Sequence, residues 1–198
     1  AASDVYKRQV PVQPMESELR ARATEFKWMA HAATATSPIA VMSGMDFTDR
    51  AQGSLSAAFE MAKDYAHAQL APAHIALALL LDDTSNSQGV QSTNKESQSL
   101  FKSVCQKAGV NIGDLENELR TALRKIPQQS PAPDEVTLSG ATTKVIKQAQ
   151  SYKTQQRDSF IAQDHILLAL MDDSTIEALL KRAGLANPEL LRNAINQA

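Results

Sequence analysis

His74-Ile75-Ala76-Leu77-Ala78-Leu79-Leu80 returns 91 residues later (165 − 74) as His165-Ile166-Leu167-Leu168-Ala169-Leu170-Met171. Each copy is followed by an apolar pattern of helical period that closes on Ala-Gly and an aliphatic residue. These closures are Ala108-Gly109-Val110 and Ala183-Gly184-Leu185. The second landmark has an offset of 75 (184 − 109), so the first copy carries 16 additional residues (91 − 75) between landmarks. Recurrence of this kind marks one supersecondary unit used twice, since a single copy leaves its apolar face uncovered.

Working outward from these stretches, Thr48 is placed to cap a first helix, with Asp49 at the positive end of its dipole. Ala51, Leu55, Ala58, Phe59, Ala62 and Tyr65 then recur at helical spacing. Pro72 suits the first turn of a second helix running to Leu81, apolar nearly all round and therefore buried. Residues 82–98 read as a polar, mobile loop. Leu100, Phe101, Val104, Cys105 and Ala108 mark a third helix that Gly109 stops in a left-handed conformation. Leu115, Leu119, Leu123 and Ile126 mark a fourth.

Pro127, Pro131 and Pro133 make residues 127–136 a linker that cannot continue a helix. Leu138, Val145, Ile146, Ala149 and Tyr152 then give the fifth helix, and residues 163–171 the sixth. Ser174-Thr175-Ile176-Glu177 reads as a capping box for the seventh, which Gly184 ends. Asn187-Pro188 opens the eighth. The expected fold is all-α: two tandem four-helix repeats, at 47–126 and 137–198, forming one eight-helix domain with no strand.

The first 44 residues differ in kind. Asp4-Val5-Tyr6-Lys7-Arg8-Gln9 resembles the in-frame translation of a transposon-end adapter used in sequencing libraries. Residues 1–44 are accordingly expected to be a non-domain leader, with Met45 as the start. Glu16, Glu18 and Glu25 oppose the rival reading of a mitochondrial presequence, because such peptides are poor in acids.

The chain has a net charge of −2, with Lys and Arg dispersed, which argues against a nucleic-acid face. Its longest apolar run falls short of the roughly 18 residues a membrane span needs. A lone cysteine, Cys105, excludes an internal disulfide and reads as a core residue on an apolar stripe. None of the seven glycines begins a phosphate-binding G-x-x-x-x-G-K-[ST] stretch, and the four histidines show no metal-site spacing. His74 and His165 read as a duplicated histidine near a helix start. Asp82 and Asp172 read as ordinary helix-end acids. The pattern is that of a binding module, not an enzyme.

Two repeats bearing H-[IL]-x-x-A-L resemble the amino-terminal domain of the Clp/heat-shock AAA+ unfoldases. Phe47-Thr48-Asp49-Arg50-Ala51, Ile126-Pro127-Gln128-Gln129 and residues 153–173 (KTQQRDSFIAQDHILLALMDD) are similar to the fungal ClpB-type disaggregases. The resemblance implies a domain that is itself monomeric and precedes two ATPase modules in a hexameric ring. ATP and Mg would belong to that longer parent, and no cofactor to this chain. It implies capture of exposed apolar stretches of unfolded or aggregated polypeptide, with co-chaperones or adaptors as further partners. It also implies a cytoplasmic location, with the nucleus as a second one.

By the same resemblance a groove is expected at Phe47, Thr48, Tyr152, Asp158, Phe160, Asp164 and His165. Tyr152 and His165 replace apolar groove positions of bacterial relatives, as does Gln148, while Phe47, Tyr152 and Phe160 offer aromatic area in return. Each has a plainer reading. Thr48 would be a helix cap, Asp164 a first-turn acid, and Phe160 stays open between core and edge. The other functional readings are an adaptor-docking domain of a protease-linked relative, a free-standing helical adaptor, and a hydrolase using Cys105.

Overall fold

The computed structural model describes residues 45–82 and 99–197. The leader expected at 1–44 and loop residues 83–98 lie outside the described residues. Eight helices are found among those described: α1 (Asp49–Asp64), α2 (Pro72–Leu81), α3 (Leu100–Lys107), α4 (Ile112–Arg124), α5 (Gly140–Gln156), α6 (Gln163–Met171), α7 (Ser174–Arg182) and α8 (Pro188–Asn196).

The quoted stretches form the centre. Every residue from Pro72 to Leu80 on α2 is buried, and on α6 only Asp164 escapes burial. A helix with no polar face has no surface to give to water, so the other six pack around these two. α1 contributes Ala51, Leu55, Ala58, Phe59 and Ala62, spaced three and four apart. Cys105 is fully buried on α3, and burial pushes its thiol up to about 12.

The repeats interlock by exchange. Strand β1 (Gln69–Leu70), ahead of α2, pairs in parallel with β2 (Thr137–Leu138), ahead of α5. Phe47, ahead of α1, bridges in parallel to Ile161, ahead of α6. The offset of 91 carries Phe47 to Leu138 and Leu70 to Ile161, so the two pairings are one arrangement seen twice. Helices exchange likewise, α4 packing on α7 and α3 on α8.

Gly109 (φ 76°) and Gly184 (φ 100°) end their helices left-handed, as read from the sequence. The two turns meet. The Asn111 amide donates to the Ala183 carbonyl at 3.0 Å, and a Cβ on Gly184 would stand 3.8 Å from the Gly109 oxygen.

Three expectations need correction. The short strands were not expected, because two residues are too few to show an alternating pattern; Leu138 belongs to β2, and Ser139 caps α5 through the Thr142 amide at 3.1 Å. Ser174 does not cap α7. Asp173 does, accepting from Thr175 and Ile176 at 3.0 and 3.2 Å, since its carboxylate reaches two orphan amides and suits the positive helix end. Asp82 is more than a helix-end acid. It accepts from Arg50 at 3.3 Å and from Gln163 of the other repeat at 2.5 Å, and Gln163 also donates to Ser54 at 2.7 Å.

Candidate functional site

Helices α2 and α6 begin on Ala71 and Ala162, whose side chains cap nothing. The duplicated histidines, three residues further on, do that work from the other side. His74 Nδ1 accepts from the Ala71 amide and His165 Nδ1 from the Ala162 amide, each at 3.0 Å. This is the return half of a capping box, with imidazole in place of the usual glutamate. With the Nδ1 lone pair engaged, the ring proton sits on Nε2, which must donate.

The two copies spend that proton differently. His74 donates to His67 Nδ1 at 2.8 Å. Both rings are fully buried, and the Ile126 carbonyl is the polar neighbour on the other side of His67, short of full hydrogen-bond geometry to Nε2. Burial, and secondarily the neighbouring His67, hold His74 down to about 4; burial lowers His67 as well. His165 instead faces Gln156 Oε1 and Asp158 Oδ2, both at 3.0 Å. Asp164 lies 3.5 Å from His165 Nδ1, which already accepts the Ala162 hydrogen, so no hydrogen bond joins them.

Around this second copy lies an open edge. The Thr48 amide donates to the Ile161 carbonyl at 3.0 Å, and the Ile161 amide to the Asp46 carbonyl at 2.6 Å. Lys153 approaches Asp46 at 4.0 Å. Residues 154–160 are all exposed, and Phe160 shows 53 % of its surface. Phe160 is therefore an edge residue and not a core one.

Of the residues expected at a groove, Phe47, Thr48, Asp158, Phe160 and Asp164 collect here. Thr48 is also the α1 cap, accepting from Ala51 at 3.3 Å, and Asp164 sits in the first turn of α6. His165 is 1 % exposed and offers no surface to a ligand; it holds Asp158 and Gln156 in place. The Tyr152 hydroxyl lies at the far end of α6, donating to Asp172 at 2.7 Å, while Arg192 reaches that carboxylate at 2.6 Å. It braces α5, α6 and α8 and departs from the edge. Sequence reading missed Asp46, Lys153 and Gln156. The single bridge beside Asp46 is too short to leave an alternating pattern, so nothing in the sequence pointed to it. Among the described residues no group of three or more His, Cys, Asp or Glu gathers to hold a metal.

Two interlocked four-helix units, each with an inner helix opened by a histidine, define a Clp repeat domain. Residues 46–94 and 92–183 match the Clp repeat (R) N-terminal domain family, and the chain belongs to it. Heat shock protein 104 of Schizosaccharomyces pombe is 36% identical over 155 residues, 78% of this chain and 16% of that protein. Heat shock protein hsp98 of Neurospora crassa is 37% identical over 77% of this chain and 17% of its own length. The chain thus spans about a sixth of these relatives. The crystal structure of the Hsp104 N-terminal domain from Candida albicans superimposes with a TM-score of 0.63 at 35% identity, over 76% of this chain and 89% of that one.

Proposed function

We propose that this chain is the client-binding amino-terminal domain of a ClpB-type disaggregase. It captures exposed apolar segments of unfolded or aggregated polypeptide and hands them to ATPase modules beyond it, which supply the hydrolysis. The observation that carries the reading is Phe160: an aromatic ring 53 % exposed, on backbone pinned by the Thr48–Ile161–Asp46 hydrogen bonds. An aromatic ring on a rigid support offers a partner a large apolar face at little conformational cost. Thr48, Asp158 and Asp164 supply polar groups beside it, and Phe47 lends apolar area. Such an edge asks little of any one sequence, so it suits many clients at low affinity. Six copies in a ring would raise that affinity by effective concentration.

The test is a fluorescence-anisotropy titration of the chain with a labelled, permanently unfolded polypeptide. Binding weaker than about micromolar, near −8 kcal/mol, is expected, and Phe160→Ala should weaken it without loss of helicity. Absence of binding by the native chain would sink the reading.

A further inference from the structure

Beneath the linker runs a one-way chain of hydrogen bonds. The Ala71 amide donates to His74 Nδ1 at 3.0 Å, so the His74 proton is on Nε2 and goes to His67 Nδ1 at 2.8 Å. The His67 proton is then on Nε2, the side on which the Ile126 carbonyl lies. Every ring nitrogen is thereby committed, and none has a lone pair free to take a further proton. A proton added to either ring sets two N–H groups against each other, across 3.0 Å at Ala71 or 2.8 Å between the rings. Both rings are fully buried, so neither can hydrate a new charge where it stands.

The walls around the pair differ in strength. Behind His74, α2 is buried from Pro72 to Leu80. At His67 the linker is tied by backbone bonds to the residues on either side: Gln129 donates to the Ala66 carbonyl at 2.8 Å, and Thr137 to that of Ala68 at 3.0 Å. Between these ties residues 130–132, 134 and 135 are exposed, and only Val136 is buried. A segment with few buried contacts opens at lower cost than a core helix. The nearby charges do not shelter an imidazolium. Tyr65 stacks on His67 with ring centroids 5.5 Å apart, and Arg120 of α4, paired with Glu116 at 2.8 Å, bonds Tyr65. Lys125, Asp134 and Glu135 along the crossing segment are all exposed.

We infer that the linker is an acid-released strap: protonation of the His67–His74 pair lifts residues 127–137 off the corner at residues 66–68 while the helices stay packed. With the strap away, His67 reaches water and its charge is hydrated. The linker leads into β2, where Thr137 pairs with Gln69, so its release also loosens a strand pairing between the repeats. Repeat two answers a proton differently. His165 faces Gln156 Oε1 and Asp158 Oδ2, both of which accept from an imidazolium without loss. The proton therefore acts on one repeat and spares the other. This inference is independent of the client-binding reading.

Amide hydrogen exchange of the whole 198-residue chain, followed by NMR from pH 7.5 to 5.0 and corrected for intrinsic exchange rates, tests this. The Gln129 and Thr137 amides should exchange faster than those of the buried Leu77 and Leu119 at every pH, marking an opening smaller than global unfolding. Between pH 7.5 and 5.0 that opening should grow roughly 25-fold, the factor by which a ring at 6.5 when open and about 4 when closed favours the open form. The double variant His67→Gln, His74→Gln keeps a donor and an acceptor at each position and should abolish the growth. Opening that ignores pH overturns the inference, as does growth that survives in the double variant. Exchange of Gln129 and Thr137 only at the rate of the core amides overturns it as well. Should the double variant fail to fold, the native profile decides: growth must set in near pH 6.5, and growth that begins only in the carboxylate range, below about pH 5, defeats the assignment.

Discussion

Acid should destabilise this domain through the buried His67–His74 pair. An imidazole whose value falls from 6.5 in the unfolded chain to about 4 when folded is neutral in the native state at every pH above about 4. Between these values the unfolded chain binds the extra proton, so stability is intact above pH 6.5 and is lost as pH falls toward 4. The full difference is about 2.5 pH units, or ~3.4 kcal/mol at 1.36 kcal/mol per unit, reached below pH 4. At pH 5 the same relation gives ~2 kcal/mol for His74 alone. His67, lowered by burial, adds in the same direction.

Carboxylates also titrate as acid is added, so the measurement needs a variant that silences His74 alone. His74→Gln does so. A glutamine three residues after the cap can accept from the Ala71 amide through its oxygen and donate to His67 through its nitrogen, retaining both hydrogen bonds. Urea unfolding followed by circular dichroism at pH 7.5 and 5.0 would give four stabilities. The native chain should lose ~2 kcal/mol more than the variant over that interval, a difference of several degrees in Tm for a domain of this size. Parallel losses in both proteins would refute the assignment, and a native chain that gains stability toward pH 5 would refute the sign.

Other perturbations have expected outcomes that follow from single contacts. Asp173→Ala should cost about 1 kcal/mol of stability in the same urea assay, whereas Ser174→Ala should cost at most a few tenths, because only Asp173 caps α7. Leu77→Ala, at a fully buried position on α2, should cost about 2–5 kcal/mol, and the exposed Phe160→Ala should leave urea stability within about 0.5 kcal/mol. Cys105 should react with a thiol reagent only as fast as the domain opens, since burial keeps it a thiol; labelling of the native chain at the rate of a free thiol would contradict its place in the core.

Much of the fold was legible because the decisive signals were local. Pro72, Gly109, Gly184 and Thr48 act within one helical turn, and each stands where its chemistry predicts. The cap of α7 was misplaced by a single residue because Asp173 and Ser174 are both good caps, and only the backbone decides between neighbours. Tyr152 fits the apolar period of α5, yet its hydroxyl joins Asp172 and Arg192, residues 20 and 40 positions away, which no window on α5 contains.

The exposed turn at residues 157–160 is the harder case, because its character is not a property of its own residues. Residues 65–70 and 156–161 share a left-handed turn and a histidine-capped exit, so local reasoning must treat them alike. Among the described residues what separates them is the linker, whose Gln129 returns to Ala66 across 63 positions (129 − 66) to close one copy. A buried corner tolerates His67 as a neutral partner for His74, whereas a carboxylate there would lie fully buried at a cost of several kcal/mol. The exposed corner has no such constraint, and it carries Asp158 at the same position and Phe160 where the closed copy has Gln69. An exposed phenylalanine is ordinary taken singly. Set against Gln69 in its twin, it is a difference that local reasoning on either copy alone does not show.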